Sequence, residues 1–121
     1  MNHTLKIWPE FFHAVVIGHK RHEVRKFDRP YKAGDLLLLQ EWDPSQFYRD
    51  CAEACISSEE PPDDDEDDKI TAQRQTLRDR AYTGQSVGVQ ITYVTKGGTW
   101  GLPTDICVLS IKMLSQPFVE G

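Results

Sequence analysis

In the stretch Val87-Gly88-Val89-Gln90-Ile91-Thr92-Tyr93-Val94, the residues Val87, Val89, Ile91 and Tyr93 alternate with Gly88, Gln90, Thr92 and Val94. A period of two puts the first set on one face of a β-strand and the second on the other, so this is a strand with one side buried. The alternation assigns Tyr93 to the core. Downstream, Lys96-Gly97-Gly98 marks a turn, Trp100-Gly101-Leu102-Pro103 a loop, and Ile106 to Ile111 a final apolar strand, with a loose tail from Pro117. Upstream, Tyr82-Thr83-Gly84 restarts ordered structure. Leu36 to Leu39 is a continuous apolar run behind the turn Lys32-Ala33-Gly34-Asp35. It reads as a central strand buried on both faces and running toward Trp42.

The first third of the chain adds two strands and a helix. Leu5-Lys6-Ile7 enters Pro9, which suits the first turn of a helix because its missing N–H has no helical partner there. Phe11, Ala14 and Val15 recur at helical spacing, and Gly18 is a natural stop. His22 to Phe27 is a strand polar on both faces, with Glu23, Arg25 and Phe27 projecting to one side. Trp8 and Trp42 are expected in the core.

Residues 45–81 read as an insertion between two strands. Asp43-Pro44 caps a helix within Ser45 to Ile56, on which Cys51 and Cys55 would share a face. Lys69 to Arg80 forms a second helix with a thin apolar face, Ile70 and Leu77. Between them, residues 57–68 have the composition of a solvated, flexible loop. The element order is therefore strand, helix, strand, strand, insertion, strand, strand. It predicts one α+β or mostly β domain over residues 1–121, a small curled sheet or barrel carrying a helix.

The 121 residues carry a formal net charge of −5, which by itself argues against a nucleic-acid binder. The charge is unevenly distributed. Eight carboxylates fall between Glu59 and Asp68, so the rest of the chain is +3. From Lys20 to Lys32 six cations oppose Glu23 and Asp28. No run approaches the roughly 20 apolar residues that span a bilayer, and no leader segment is visible. Three cysteines, an odd number, suggest reduced thiols and a cytoplasmic setting. No cofactor is implied. The histidines form no ligand set, the acidic run lacks the glycine and glutamate of a calcium loop, and there is no glycine-rich phosphate loop.

Gly18-His19-Lys20-Arg21-His22-Glu23-Val24-Arg25 fits the pattern G-x-K-x-x-E-x-R, followed by the Gly34-Asp35 turn and an aliphatic strand. The combination resembles the ASCH domains of the PUA-like superfamily, and more closely a family related to them. The likeness includes Leu5 to Pro9, Glu41-Trp42-Asp43-Pro44, Tyr82 to Gly84, Ile91 to Tyr93 and Gly97-Gly98. It covers about residues 3–44 and 82–113 and leaves out 45–81.

The resemblance implies a PUA-like β-barrel with one helix beside a cleft, and RNA or a modified nucleobase as ligand. Some ASCH relatives are amidohydrolases that deacylate the exocyclic amine of cytidine with a Lys-x-x-Thr motif. Here Lys20 matches the lysine, and Glu23 stands at the threonine position. If the protein is an enzyme, Lys20 and Glu23 are its catalytic candidates.

The binding candidates are Lys20, Glu23, Arg25, Lys26, Arg29 and Trp100. Lys20 can donate to a phosphate or a base carbonyl. Glu23 can accept from a base amino group or move a proton. Arg25 can grip a phosphate or stack on a base, Lys26 and Arg29 extend the positive charge, and Trp100 offers a stacking surface. A third reading is a non-catalytic interaction module whose insertion docks a protein partner. No membrane partner is expected.

Overall fold

A computed structural model describes residues 1–60 and 67–114 together with the backbone of Phe118–Val119. Among these residues the elements are β1 (Asn2–Ile7), α1 (Pro9–Val16), β2 (His22–Lys26), β3 (Leu36–Trp42), α2 (Pro44–Glu53), α3 (Asp68–Arg80), β4 (Tyr82–Thr95), β5 (Ile106–Met113) and β6 (Phe118–Val119). Five strands form a curled, half-barrel sheet in the order β1-β3-β4-β5-β2, and β6 pairs with β4. The fold is α+β, as expected.

β1 runs parallel to β3, from Asn2 opposite Leu36 to Ile7 opposite Glu41. A parallel pair needs a long crossover, and residues 8–35, holding α1 and β2, supply it. The other pairings along the sheet are antiparallel. The concave face carries the main core: Leu5, Ile7, Leu37, Leu39, Val87, Val89, Ile91 and Leu109, covered by Phe12 and Val15 of α1.

The core corrects three expectations. β3 is central but not buried on both faces: Leu37 and Leu39 are buried while Leu36 is exposed, because only one face of the sheet is covered. Tyr93 is 64 % exposed rather than in the core. Pairing with β5 shifts between Ile91, opposite Ile111, and Tyr93, opposite Ser110. A bulge of one residue sends every later side chain to the opposite face. The tail is not loose throughout, since Phe118 and Val119 pair with Ser86 and Gln85.

α2 and α3 occupy the span between β3 and β4. Asp43 caps α2 by accepting from the Ser45 amide at 3.0 Å, and Asp67 caps α3 through the Lys69 amide at 2.8 Å. Trp42, Phe47, Cys51, Leu77 and Ala81 form a second, smaller core, tied by the Trp42 indole N–H donating to the Arg78 carbonyl at 2.8 Å. α3 buries Arg74 and Leu77 rather than Ile70 and Leu77. Cys51 is buried, and burial pushes its thiol pKa up. Cys55 does not share its face, because α2 ends at Glu53 and Cys55 lies beyond it at φ +57°. The centre of the loop expected over 57–68, residues 61–66, lies outside the described residues.

At the start of the β1–β3 pair, Asp35 is buried. One carboxylate oxygen lies 2.9 Å from His3 Nε2 and accepts from the Lys32 amide at 3.1 Å. The other accepts from the Met1 ammonium at 3.1 Å. The hydrogen bond with His3 is the chief reason that the Asp35 carboxyl titrates at about 2, below its usual range. A depressed carboxyl stabilises the fold in its ionised form. That contribution is complete above the unfolded pKa of about 4 and is lost as pH falls toward 2. Asp35→Asn is therefore expected to flatten the pH dependence of the urea midpoint across that window. A dependence as steep as in the parent chain would assign it to other carboxylates.

Candidate functional site

β1 and β2 are the two ends of the curled sheet, and the curl brings them to face each other. No ladder joins them. Instead Arg25 Nη2 on β2 donates to the Lys6 carbonyl on β1 at 2.8 Å. A cavity of about 440 Å³ opens at this seam, lined by Lys6, Ile7, Trp8, Phe11, Lys20, His22, Glu23, Val24 and Arg25. That is a volume suited to a small organic ligand.

Glu23 is the buried member of the polar strand β2. A carboxylate removed from water must be paired and hydrogen-bonded, and both of its oxygens are. Oε1 accepts from Lys20 Nζ at 2.5 Å. Oε2 accepts from Arg25 Nε at 3.2 Å and Nη2 at 3.0 Å. Lys20 also donates to the His22 carbonyl at 2.6 Å. Its place is set by the end of α1, where Gly18 adopts φ +82° and the His19 and Lys20 amides both return to the Ala14 carbonyl. This turn carries Lys20 back over the Phe11 ring, 5.5 Å from its centroid.

Part of the lining is aromatic. Trp8 and Phe11 stack at 6.2 Å between centroids and 17° between planes, and both are exposed. Trp8, expected in the core, is 45 % exposed. It forms the single-residue link between β1 and α1, and the core positions of the helix are taken by Phe12 and Val15. Lys6 holds its ammonium 4.2 Å above the Trp42 ring. Partial burial, then the charges of Arg78 and Arg25, push its pKa down. The lining residues include three cations, Lys6, Lys20 and Arg25, and one carboxylate, Glu23, an excess of two positive charges.

Of the residues proposed from sequence, the fold brings together Lys20, Glu23 and Arg25. It does not bring Lys26, Arg29 or Trp100 into this cavity. Lys26 alternates to the other face of β2 from Glu23 and Arg25. Arg29 has Asp28 as its nearest acidic partner, at 3.6 Å. Trp100 is 92 % exposed at φ +55° in the loop between β4 and β5. Lys6, Trp8 and Phe11 were not singled out as a wall beside the Glu23 pair. The signal available was a Lys-x-Trp-Pro step, an aromatic residue standing between a strand and a proline-started helix. Among the described residues no cluster of three or more histidine, cysteine or acidic side chains could hold a metal ion, and no helix is long and apolar enough to cross a membrane.

A family model described as "Domain of unknown function (DUF3850)" matches residues 2–111, the span of α2 and α3 included. Over 55 residues the chain is 42 % identical to the "Uncharacterized 12.9 kDa protein in GpA 3'region" of Escherichia phage P2. The alignment covers 46 % of this chain and 50 % of that protein, so the chain spans about half the length of the curated relative.

Proposed function

The chain belongs to the family described as a domain of unknown function, DUF3850, and from that premise we propose that its seam cavity holds a nucleobase, of RNA or of a modified nucleoside. The observation that carries this reading is the buried Glu23 carboxylate, held between Lys20 and Arg25 beside the exposed Trp8–Phe11 stack. A base needs a flat apolar surface for its π-face and paired donors and acceptors for its edge. Trp8 and Phe11 offer the first. Glu23 as acceptor, with Lys20 and Arg25 as donors, offers the second. The likeness to ASCH domains of the PUA-like superfamily and the helix beside the cavity agree with this reading.

Titration with the four common nucleosides and with N4-acetylcytidine, followed by tryptophan fluorescence, tests it. Saturable quenching is expected, and Trp8→Ala is expected to weaken binding about tenfold, the loss of one stacking partner. Absence of saturation at low salt, or unchanged affinity in the variant, would remove the reading.

The Lys20–Glu23 contact of 2.5 Å favours a second reading. In such an ion pair the carboxylate can act as base toward a water while the ammonium stabilises the oxyanion that forms. The pair could then serve a hydrolysis in which water cleaves the exocyclic amide of an acylated cytidine, giving a carboxylic acid and the free amine. Acid release that is lost in Lys20→Ala supports this reading, and no release from N4-acetylcytidine excludes it.

A further inference from the structure

The cations around the seam extend beyond what a nucleoside can use. A second cavity, of about 410 Å³, lies on the other side of Lys20, which lines both. Its lining includes Arg21 and Lys112 and no carboxylate. Arg21 is fixed there. Its carbonyl accepts from the Ile111 amide of β5 at 3.0 Å, and its Nε donates to the Gly18 carbonyl at 3.3 Å. Across the first cavity Lys6 lies near Arg25 and Arg78, two charges of its own sign that are each already paired with a carboxylate, Glu23 and Glu60. Among the described residues no carboxylate pairs with Lys6, Arg21 or Lys112. The proposed base site is thus flanked by cations on both sides, Lys6 on one and Arg21 with Lys112 on the other.

A cation that has no carboxylate beside it is free to attract an anion from outside the protein. A free nucleoside brings none. An internal nucleotide of a strand brings one phosphate on each side of its base. We infer that the ligand is a single-stranded polynucleotide whose base enters the seam cavity, with one flanking phosphate at Lys6 and the other in the second cavity at Arg21 and Lys112. This inference rests on the nucleobase reading and adds to it a backbone site.

The test compares each of the four nucleosides with its homopolymeric tetraribonucleotide between about 20 and 300 mM salt. Two neutralised phosphates on a single strand give log K against log salt a slope of about −1.4, whereas nucleoside binding is flat. Arg21→Gln with Lys112→Gln is expected to reduce that slope by about 0.7 and to weaken the strand at least tenfold at low salt, with nucleoside affinity unchanged. Nucleosides that bind while tetranucleotides bind no more tightly, or a slope unchanged in the double variant, would overturn this inference and leave the nucleobase reading standing. Absence of binding by either overturns both.

Discussion

Glu23→Ala is expected to lower the free energy of unfolding by about 3 kcal/mol and to abolish nucleobase binding. The carboxylate is buried and holds two cations, Lys20 through one oxygen and Arg25 through the other. Removing it leaves both positive charges facing each other across an empty acceptor position. The side chains of Lys20 and Arg25 are 17 % and 23 % exposed, so water partly relieves them, and the effect belongs at the low end of what breaking a buried pair costs. Glu23→Gln keeps the shape and one acceptor oxygen but adds an N–H toward a donor, and its loss is expected to be about half as large. Urea denaturation of the three chains measures both values. A loss below about 1 kcal/mol for Ala would show that the carboxylate is not what organises the two cations.

Arg74→Ala is the other large effect, about 2–4 kcal/mol, and it reports on the helical pair rather than the seam. Arg74 is 1 % exposed within α3, and its Nε donates to the Ser57 carbonyl at 2.9 Å. Truncation leaves a hole the size of its stem beside Cys51 and an acceptor without this donor. The binding of nucleosides is expected to survive at temperatures where the variant is folded, because Arg74 lines no part of the seam cavity. Melting followed by near-ultraviolet dichroism measures the loss, and a shift within about 0.5 kcal/mol of the parent would mean that α3 is held by contacts other than those of Arg74.

Local pattern made much of the fold legible. The alternation from Val87 to Ile91, the proline at the start of α1, the Asp43-Pro44 cap and the Gly34-Asp35 turn all specify their elements through contacts with near neighbours. What stayed hidden depends on pairing partners. Tyr93 obeys the same alternation as Val89, and only the bulge against β5 turns it outward. His3 and Asp35 are far apart in the chain and meet because β1 lies parallel to β3. The Lys20, Glu23 and Arg25 constellation was readable because a turn and a short strand hold it within six residues. Its aromatic wall was not, since Trp8 has the composition of a core residue and is excluded from the core by the geometry of the β1–α1 link. Trp100 shows the converse: a tryptophan in a glycine-rich loop offers a stacking surface, yet it lines no part of the seam cavity.

The facing ends of the sheet have a further consequence, for solubility. The outermost strand of an open sheet presents unpaired amides and carbonyls on which a strand of another molecule can nucleate. Here the curl turns the outer edges of β1 and β2 toward each other, and the Arg25 guanidinium occupies the Lys6 carbonyl between them. The same charged gap that forms the proposed binding site thereby leaves less of these margins open to a strand of another molecule. Substitutions that open the gap to improve access would expose two sticky margins at once.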